Sequence, residues 1–124
     1  MAGCGGGSGG GSGAELGVPV PWIKAEPSGS ALRVGYEVDP CTRARRVRVE
    51  EGERLVKVTL GDPERDPKKA CIGVVERHCA LVRLGKPLGT RRVVDGAPHV
   101  RPRSRAIPIE RYGVCRPIEA VKSG

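Results

Sequence analysis

His78 and Cys79 are adjacent residues whose side chains could form a nucleophilic pair or bind a metal ion. Successive side chains of a strand point to opposite faces, so two neighbours in a strand cannot easily hold one ion. Zinc sites usually show closely spaced pairs of cysteine or histidine, whereas Cys71 and Cys79 stand eight residues apart. We therefore expect neither a metal site nor a cofactor, and we interpret His78 and His99 as surface residues.

Two glycine-containing motifs of enzymes, the nucleophile turn and the phosphate-binding loop, do not occur between a strand and a helix, where they function. No Gly-x-Ser-x-Gly turn lies between a strand and a helix, where it would expose a nucleophilic serine. The glycine-rich run precedes proline-rich coil, so it does not form the strand-to-helix loop that binds phosphate. Four aspartates lie beside turns, where this residue commonly accepts hydrogen bonds from backbone amides: Asp39, Asp62, Asp66 and Asp95. We predict that the chain is not an enzyme.

The five cysteines indicate an oxidising compartment, because disulfides persist mainly outside the cytoplasm. If Cys4 is modified separately, an even set of four remains, and four cysteines allow three pairings. Proline- and charge-rich turns flank Cys41 and Cys71, which favours Cys41–Cys71 with Cys79–Cys115. The first bond would close a loop of 30 residues and contribute about 3–4 kcal/mol. The second would pin the C-terminal tail to a strand.

The chain begins Met1-Ala2-Gly3-Cys4, and residues 5–13 contain only glycine and serine. This start resembles the lipobox of bacterial lipoproteins, followed by a flexible tether with a reach on the order of 20 Å. The resemblance implies that Cys4 is the lipidation site and that a signal peptide, expected upstream of Met1, is cleaved before it. Two alternatives are an expression linker and an ordinary terminal tail.

Hydrophobic alternation from residue 31 onwards predicts β-strands. A first strand runs to Val38, a second covers residues 46–50 and a third covers residues 56–60, with a hairpin turn at residues 51–53. Residues 72–84 are predicted to form either one long strand bent near Gly73 or two strands. Residues 90–95 are predicted as a short last strand.

These patterns predict an all-β fold: a small antiparallel sandwich or barrel, stapled by disulfides, with extended proline-rich segments at both termini. Residues 1–30 are predicted to form the flexible tether and a proline-rich extended segment. Residues 31–97 form the predicted β-domain, and residues 98–124 a basic, proline-rich tail that packs partly on it. Because only 2% of the residues are aromatic, the core must consist of Val, Leu and Ile.

The β-domain combines Cys41, a valine-rich hairpin, Cys71 and a strand ending at Leu84 with two further segments, residues 86–89 and 92–96. Over about residues 31–97, this set resembles a domain of small exported proteins from high-GC Gram-positive bacteria. The resemblance implies a Cys41–Cys71 bond and a last strand after the Pro-Leu-Gly turn. It implies no activity, and Cys79 is an addition to the pattern.

The net charge of +8 is unevenly distributed, because residues 96–124 carry six basic and two acidic groups. Four arginines of this tail are predicted to contact an anionic surface: Arg101, Arg103, Arg105 and Arg111. A second basic patch consists of Arg43, Arg45, Arg46 and Arg48. The simpler alternative is that these arginines are ordinary surface residues that interact only with water.

These features together predict an exported, lipid-anchored protein at the outer face of the cytoplasmic membrane or in the cell wall. It would act as a non-enzymatic binding or interaction domain. Its expected partners are the membrane, through the lipid anchor, and an anionic wall polymer or another envelope protein. The alternative is a small basic cytosolic nucleic-acid-binding β-domain. Nucleic acid is the less expected partner, because Trp22, Tyr36 and Tyr112 are few and scattered for base stacking.

Overall fold

The computed structural model describes residues 16–97 and 107–121. Within them, two β-sheets pack face to face and two disulfides staple the fold. The predicted all-β sandwich is therefore confirmed. The strands are β1 (Val18–Val20), β2 (Lys24–Ser28), β3 (Ala31–Val38), β4 (Arg46–Glu51), β5 (Leu55–Asp62), β6 (Glu76–Arg83), β7 (Arg92–Asp95), β8 (Cys115–Pro117) and β9 (Glu119–Val121), with a 3-10 helix at Ile109–Tyr112.

The first sheet is built around β5, which pairs antiparallel with β4 on one edge. The other edge of β5 is shared, because β7 pairs in parallel with its first half and β1 antiparallel with its second half. The second sheet has the order β2-β3-β6-β8. β8 and β9 add in parallel to β6 and β4, so both sheets are mixed and not purely antiparallel as predicted. Such short parallel strands arrive through long connections, which hydrophobic alternation does not reveal.

The three strands predicted from alternation are all present as β3, β4 and β5. The segment from residue 72 follows neither predicted alternative, because Ile72–Val75 lies outside the strands and β6 begins at Glu76. Its partner β3 ends at Val38, which pairs with Glu76. Residues 72–75 therefore have no strand beside them. Residues 92–95 form β7, but two further strands follow it.

Prolines occupy edge strands, where a missing backbone donor costs no ladder hydrogen bond. Pro19 lies in β1, Pro27 in β2 and Pro117 in β8, and each of these strands has a single neighbour in its sheet. These three prolines, which come from both sides of the central region, therefore belong to the sheets.

The core between the sheets is aliphatic, as the composition predicts. Its most deeply buried side chains come from the facing sides of both sheets: Val20, Leu32, Val34, Val47, Val56, Val58, Leu60 and Val82. A second cluster covers the outer side of the second sheet, where Ile109 and Tyr112 pack on Cys79. A Cβ atom at Gly35 would lie 2.8 Å from the Tyr112 ring, so only glycine fits beneath that ring.

All four turn aspartates accept hydrogen bonds from backbone amides, as predicted. Asp39 accepts from the Cys41 amide at 2.9 Å, and Asp66 accepts from the Lys68 amide at 2.9 Å. Asp95 accepts from the amides of Trp22 and Ala97, and burial raises the pKa of its carboxyl group. Asp62 accepts from the Arg43 and Glu64 amides, both at 3.0 Å. Each aspartate therefore has a structural role at its turn.

A buried arginine holds the turn that follows β6. The Arg91 guanidinium group donates to three backbone carbonyls of this turn and to Glu51 Oε1, at distances of 3.0–3.1 Å. Glu51 also accepts from the Gly85 amide at 2.6 Å. The ion pair therefore joins the turn to the β4–β5 hairpin at the end of the sandwich that carries residues 51–55.

The Glu51 contacts predict an acid-dependent loss of stability. The Gly85 amide, with the Arg91 guanidinium group, holds the pKa of Glu51 below its ordinary value of 4.5. A lowered folded-state pKa contributes stability that is complete above the ordinary pKa and is lost as the pH falls through the lowered one. We expect urea unfolding to show a smaller loss between about pH 6 and about pH 3 in Glu51→Gln than in the parent. An unchanged loss in the variant would contradict the assignment to Glu51.

Candidate functional site

An open cleft of about 690 Å³ lies at one corner of the sandwich. Four parts of the chain line it: Tyr36 of β3, the loop residues Arg43–Arg45, residues 77–80 of β6, and residues 112–119 of the tail. β8 and β9, the edge strands of the two sheets, both contribute to its wall. The cleft is therefore the gap between the sheets where the tail closes the fold.

Tyr36 and His78 form an aromatic pair in the cleft lining, which also includes Tyr112. They are direct partners in the β3–β6 register, with ring centroids 5.6 Å apart and planes tilted by 34°. Burial raises the pKa of the Tyr36 hydroxyl group, partly offset by a hydrogen bond with the Ala44 backbone, so this group stays neutral near neutral pH. His78 Nε2 lies 3.1 Å from Glu76 Oε1, which orients the imidazole ring.

Four arginines line the cleft: Arg43, Arg45, Arg77 and Arg116. Two of them have carboxylate partners, because Arg77 Nε lies 3.0 Å from Glu37 and Arg45 Nε lies 3.2 Å from Asp62. Arg43 and Arg116 are exposed, and neither guanidinium group forms an ion pair within residues 16–97 and 107–121. These two guanidinium groups therefore remain available to an anion, which they can bind through paired N–H donors.

Both predicted disulfides are present, as Cys41–Cys71 and Cys79–Cys115. Cys79 is 4% exposed and lines the cleft, so the second bond ties β8 and its neighbour Arg116 to β6. Asp39 lies near the first bond, with its oxygen and the two sulfurs within 4.8 Å of one another. A cysteine binds zinc as a thiolate, and two sulfurs bonded to each other supply no thiolate ligand.

The remaining predicted site residues fall into two groups. Cys4, His99, Arg101, Arg103 and Arg105 lie outside the described residues. Arg111 is exposed on the 3-10 helix but does not line the cleft.

The second basic patch divides between the cleft and other contacts. Arg43 and Arg45 line the cleft, Arg46 pairs with Glu119 at 3.3 Å, and Arg48 is half-buried on β4. No pattern in the sequence pointed to Arg77 or Tyr36 as members of this site. For Arg116, the Cys79–Cys115 pairing was the available signal, because it places this residue beside β6.

No protein family, curated protein or solved structure matches this chain. Function is therefore inferred from the residues of the chain itself. In the part of the chain that the structure describes, no helix combines the length and the apolar character needed to cross a bilayer.

Proposed function

We propose that this chain is a non-enzymatic binding module that is exported, attached to the cell envelope through a lipid on Cys4, and takes an anionic ligand into the arginine cleft. One observation carries the ligand assignment. Arg43 and Arg116 both line the cleft, come from separate parts of the chain, and form no ion pair within the described residues. A bound anion would supply the missing negative charge.

Export is supported by the two disulfides, since such bonds are typical of proteins that mature in oxidising compartments. The lipobox-like Met1–Cys4 segment supports lipid attachment. A binding role without catalysis is supported by the contacts of Cys79 and His78, the two residues whose side chains could most readily take part in catalysis. Cys79 is held in a disulfide, and His78 is bonded to Glu76 and not to a nucleophile.

Phosphate groups of an anionic wall polymer fit the cleft best. A guanidinium group matches the geometry of phosphate and can bind two of its oxygens at once. The neutral Tyr36 hydroxyl group adds no repelling charge. The cleft is open to solvent, so one repeating unit could enter while the rest of a polymer stays outside.

We expect Arg43→Glu/Arg116→Glu to weaken binding of a short glycerol phosphate oligomer about tenfold or more. Charge-assisted hydrogen bonds contribute roughly 1.5–3 kcal/mol each, and reversed charges also repel the ligand. Isothermal titration calorimetry of the full chain at two salt concentrations measures this loss. Arg54→Glu/Arg83→Glu is the matched control, because it makes the same charge change at exposed positions at the other end of the sandwich. Equal losses of affinity in the two variants would show that the oligomer is attracted by the overall charge, and would refute the cleft as its binding site.

Lipid attachment predicts a labelled Cys4. Cells that express the precursor, with its upstream segment intact, are expected to incorporate radioactive palmitate into the parent chain and not into Cys4→Ser. A parent chain that stays unlabelled would contradict the anchor but leave the cleft untouched.

The nucleic-acid alternative finds little support in the described residues. Tyr36 and Tyr112 are buried, and the Trp22 indole group donates to the Val58 carbonyl at 3.0 Å. Binding to single strands usually needs exposed aromatic rings on which bases stack. A salt-dependent gel shift with random oligonucleotides that Arg43→Glu/Arg116→Glu abolishes would instead support this alternative.

A further inference from the structure

A second surface of the sandwich combines exposed aliphatic side chains with exposed lysines. Ile72 is 96% exposed, Val74 is 83% exposed and Val75 is 44% exposed, all in the loop between β5 and β6. Isolated exposed aliphatic residues are common on soluble proteins, but a contiguous group marks an interaction surface. We call residues 68–75 the aliphatic loop.

The aliphatic loop is held in place by its neighbours. Cys71 is bonded to Cys41, and a Cβ atom at Gly73 would lie 2.8 Å from the Pro40 side-chain ring, so Gly73 packs closely against that ring. Arg65 braces the base of the loop by donating to the Lys69 carbonyl at 3.0 Å and to Thr42 Oγ1 at 2.9 Å. The disulfide, the packing on Pro40 and the Arg65 hydrogen bonds therefore hold the backbone of the loop in place beneath its exposed side chains.

The charges beside the aliphatic side chains identify the kind of partner. Lys68 and Lys69 are exposed, and neither ammonium group takes part in an ion pair within residues 16–97 and 107–121. Aliphatic side chains flanked by free lysines suit the surface of an anionic bilayer. The side chains can enter the headgroup region, while each lysine contributes attraction to anionic lipid.

The strand topology places the chain's N-terminal side at the same end of the sandwich. β1 begins at Val18, which pairs with Asp62 at the end of β5, where the connection to the aliphatic loop starts. A chain entering at Val18 from the envelope would therefore bring this end toward the membrane. Among the described residues, Leu55 is an exposed aliphatic side chain at the opposite end.

We propose that the aliphatic loop inserts Ile72, Val74 and Val75 into the headgroup region of an anionic phospholipid bilayer, with Lys68 and Lys69 contacting the lipid phosphates. This contact is separate from the arginine cleft and does not require a lipid on Cys4. It would hold the sandwich in a defined orientation on the membrane surface.

Vesicle flotation tests the proposal with the full-length Cys4→Ser chain, which carries no lipid. We expect this chain to bind vesicles of phosphatidylcholine with phosphatidylglycerol, and to bind phosphatidylcholine vesicles far less. Ile72→Ser/Val74→Ser should bind the anionic vesicles about tenfold or more weakly, because two aliphatic side chains no longer leave water. The matched control Leu55→Ser should bind like the parent. Lys68→Glu/Lys69→Glu should lose the preference for anionic lipid.

Four results would overturn the proposal. The first is full vesicle binding by Ile72→Ser/Val74→Ser, and the second is an equal loss in Leu55→Ser. The third is loss in Arg43→Glu/Arg116→Glu alone, which would place the headgroup in the cleft. Analytical ultracentrifugation tests for the fourth, because a parent dimer that Ile72→Ser/Val74→Ser converts to monomers would assign the loop to self-association. The substituted side chains are exposed, so an unchanged Trp22 emission spectrum is expected for every variant.

Discussion

Replacing Asp62 with alanine is expected to lower the free energy of unfolding by about 2–4 kcal/mol. Asp62 is 1% exposed and accepts from three donors: the Arg43 amide at 3.0 Å, the Glu64 amide at 3.0 Å and Arg45 Nε at 3.2 Å. Alanine would leave the two backbone amides without this acceptor, and a buried donor left unpaired costs roughly 1–3 kcal/mol. The Arg45 side chain is 41% exposed and can bind water instead. The loss is large because the amides of Arg43 and Glu64 are fixed in the backbone and cannot move to another acceptor.

Urea unfolding followed by Trp22 fluorescence measures this effect, since Trp22 is the single tryptophan of the chain. Glu64→Ala is the control, because the Glu64 carboxylate is mostly exposed and pairs with Arg45 at 3.5 Å at the surface. We expect this control to change stability by less than about 1 kcal/mol. Asp62 also positions the loop that carries Arg43 and Arg45, so Asp62→Ala should weaken anion binding as well. Similar stabilities of the two variants would contradict the structural role of Asp62.

Removing the Cys79–Cys115 bond is expected to cost about 4 kcal/mol and to release the tail from the second sheet. The bond closes a loop of 36 residues, and its chain-entropy contribution is about 4 kcal/mol. It also holds Ile109 and Tyr112 over Cys79 and Gly35. We expect Cys79→Ala/Cys115→Ala to be cleaved near Gly113 by a dilute protease under native conditions, and to bind the glycerol phosphate oligomer more weakly because Arg116 leaves the cleft.

The Cys41–Cys71 bond provides the matched comparison. It closes a loop of 30 residues, so its chain-entropy contribution is similar, but Cys41 is exposed and the bond anchors no part of the tail. Cys41→Ala/Cys71→Ala should therefore lose comparable stability while the tail remains protected and the cleft intact. Early cleavage of the tail in both variants would show that the tail is held by general stability and not by its own disulfide.

The sequence predicts the central strands well for a physical reason. β3, β4 and β5 each bury one face against the other sheet, so Leu32, Val34 and Val47 recur with the two-residue period of a strand. The same pattern misled at Ile72–Val75, where a strand-like run has no partner because β3 has already ended. β8 and β9 each contain only three residues, too few to show a period, and their pairing depends on the second disulfide and the tail.

The cleft could be predicted only in part. The cluster of arginines from Arg43 to Arg48 is visible as a basic patch, and two of its members do line the cleft. Arg77 and Arg116 reach the same cleft because β6 and β8 pair in parallel, which no local pattern encodes. The remaining arginines of the patch also depend on tertiary contacts, as the Arg46–Glu119 pair shows.

The oxidised state of the four cysteines in the β-sandwich is the claim on which export, fold and cleft all depend. Disulfide mapping tests it most directly, on protein isolated from the cells that make it, with free thiols alkylated before digestion. We predict peptides linked through Cys41–Cys71 and through Cys79–Cys115, with no alkylation at these four positions. Four alkylated cysteines, or a different pairing, would contradict the account.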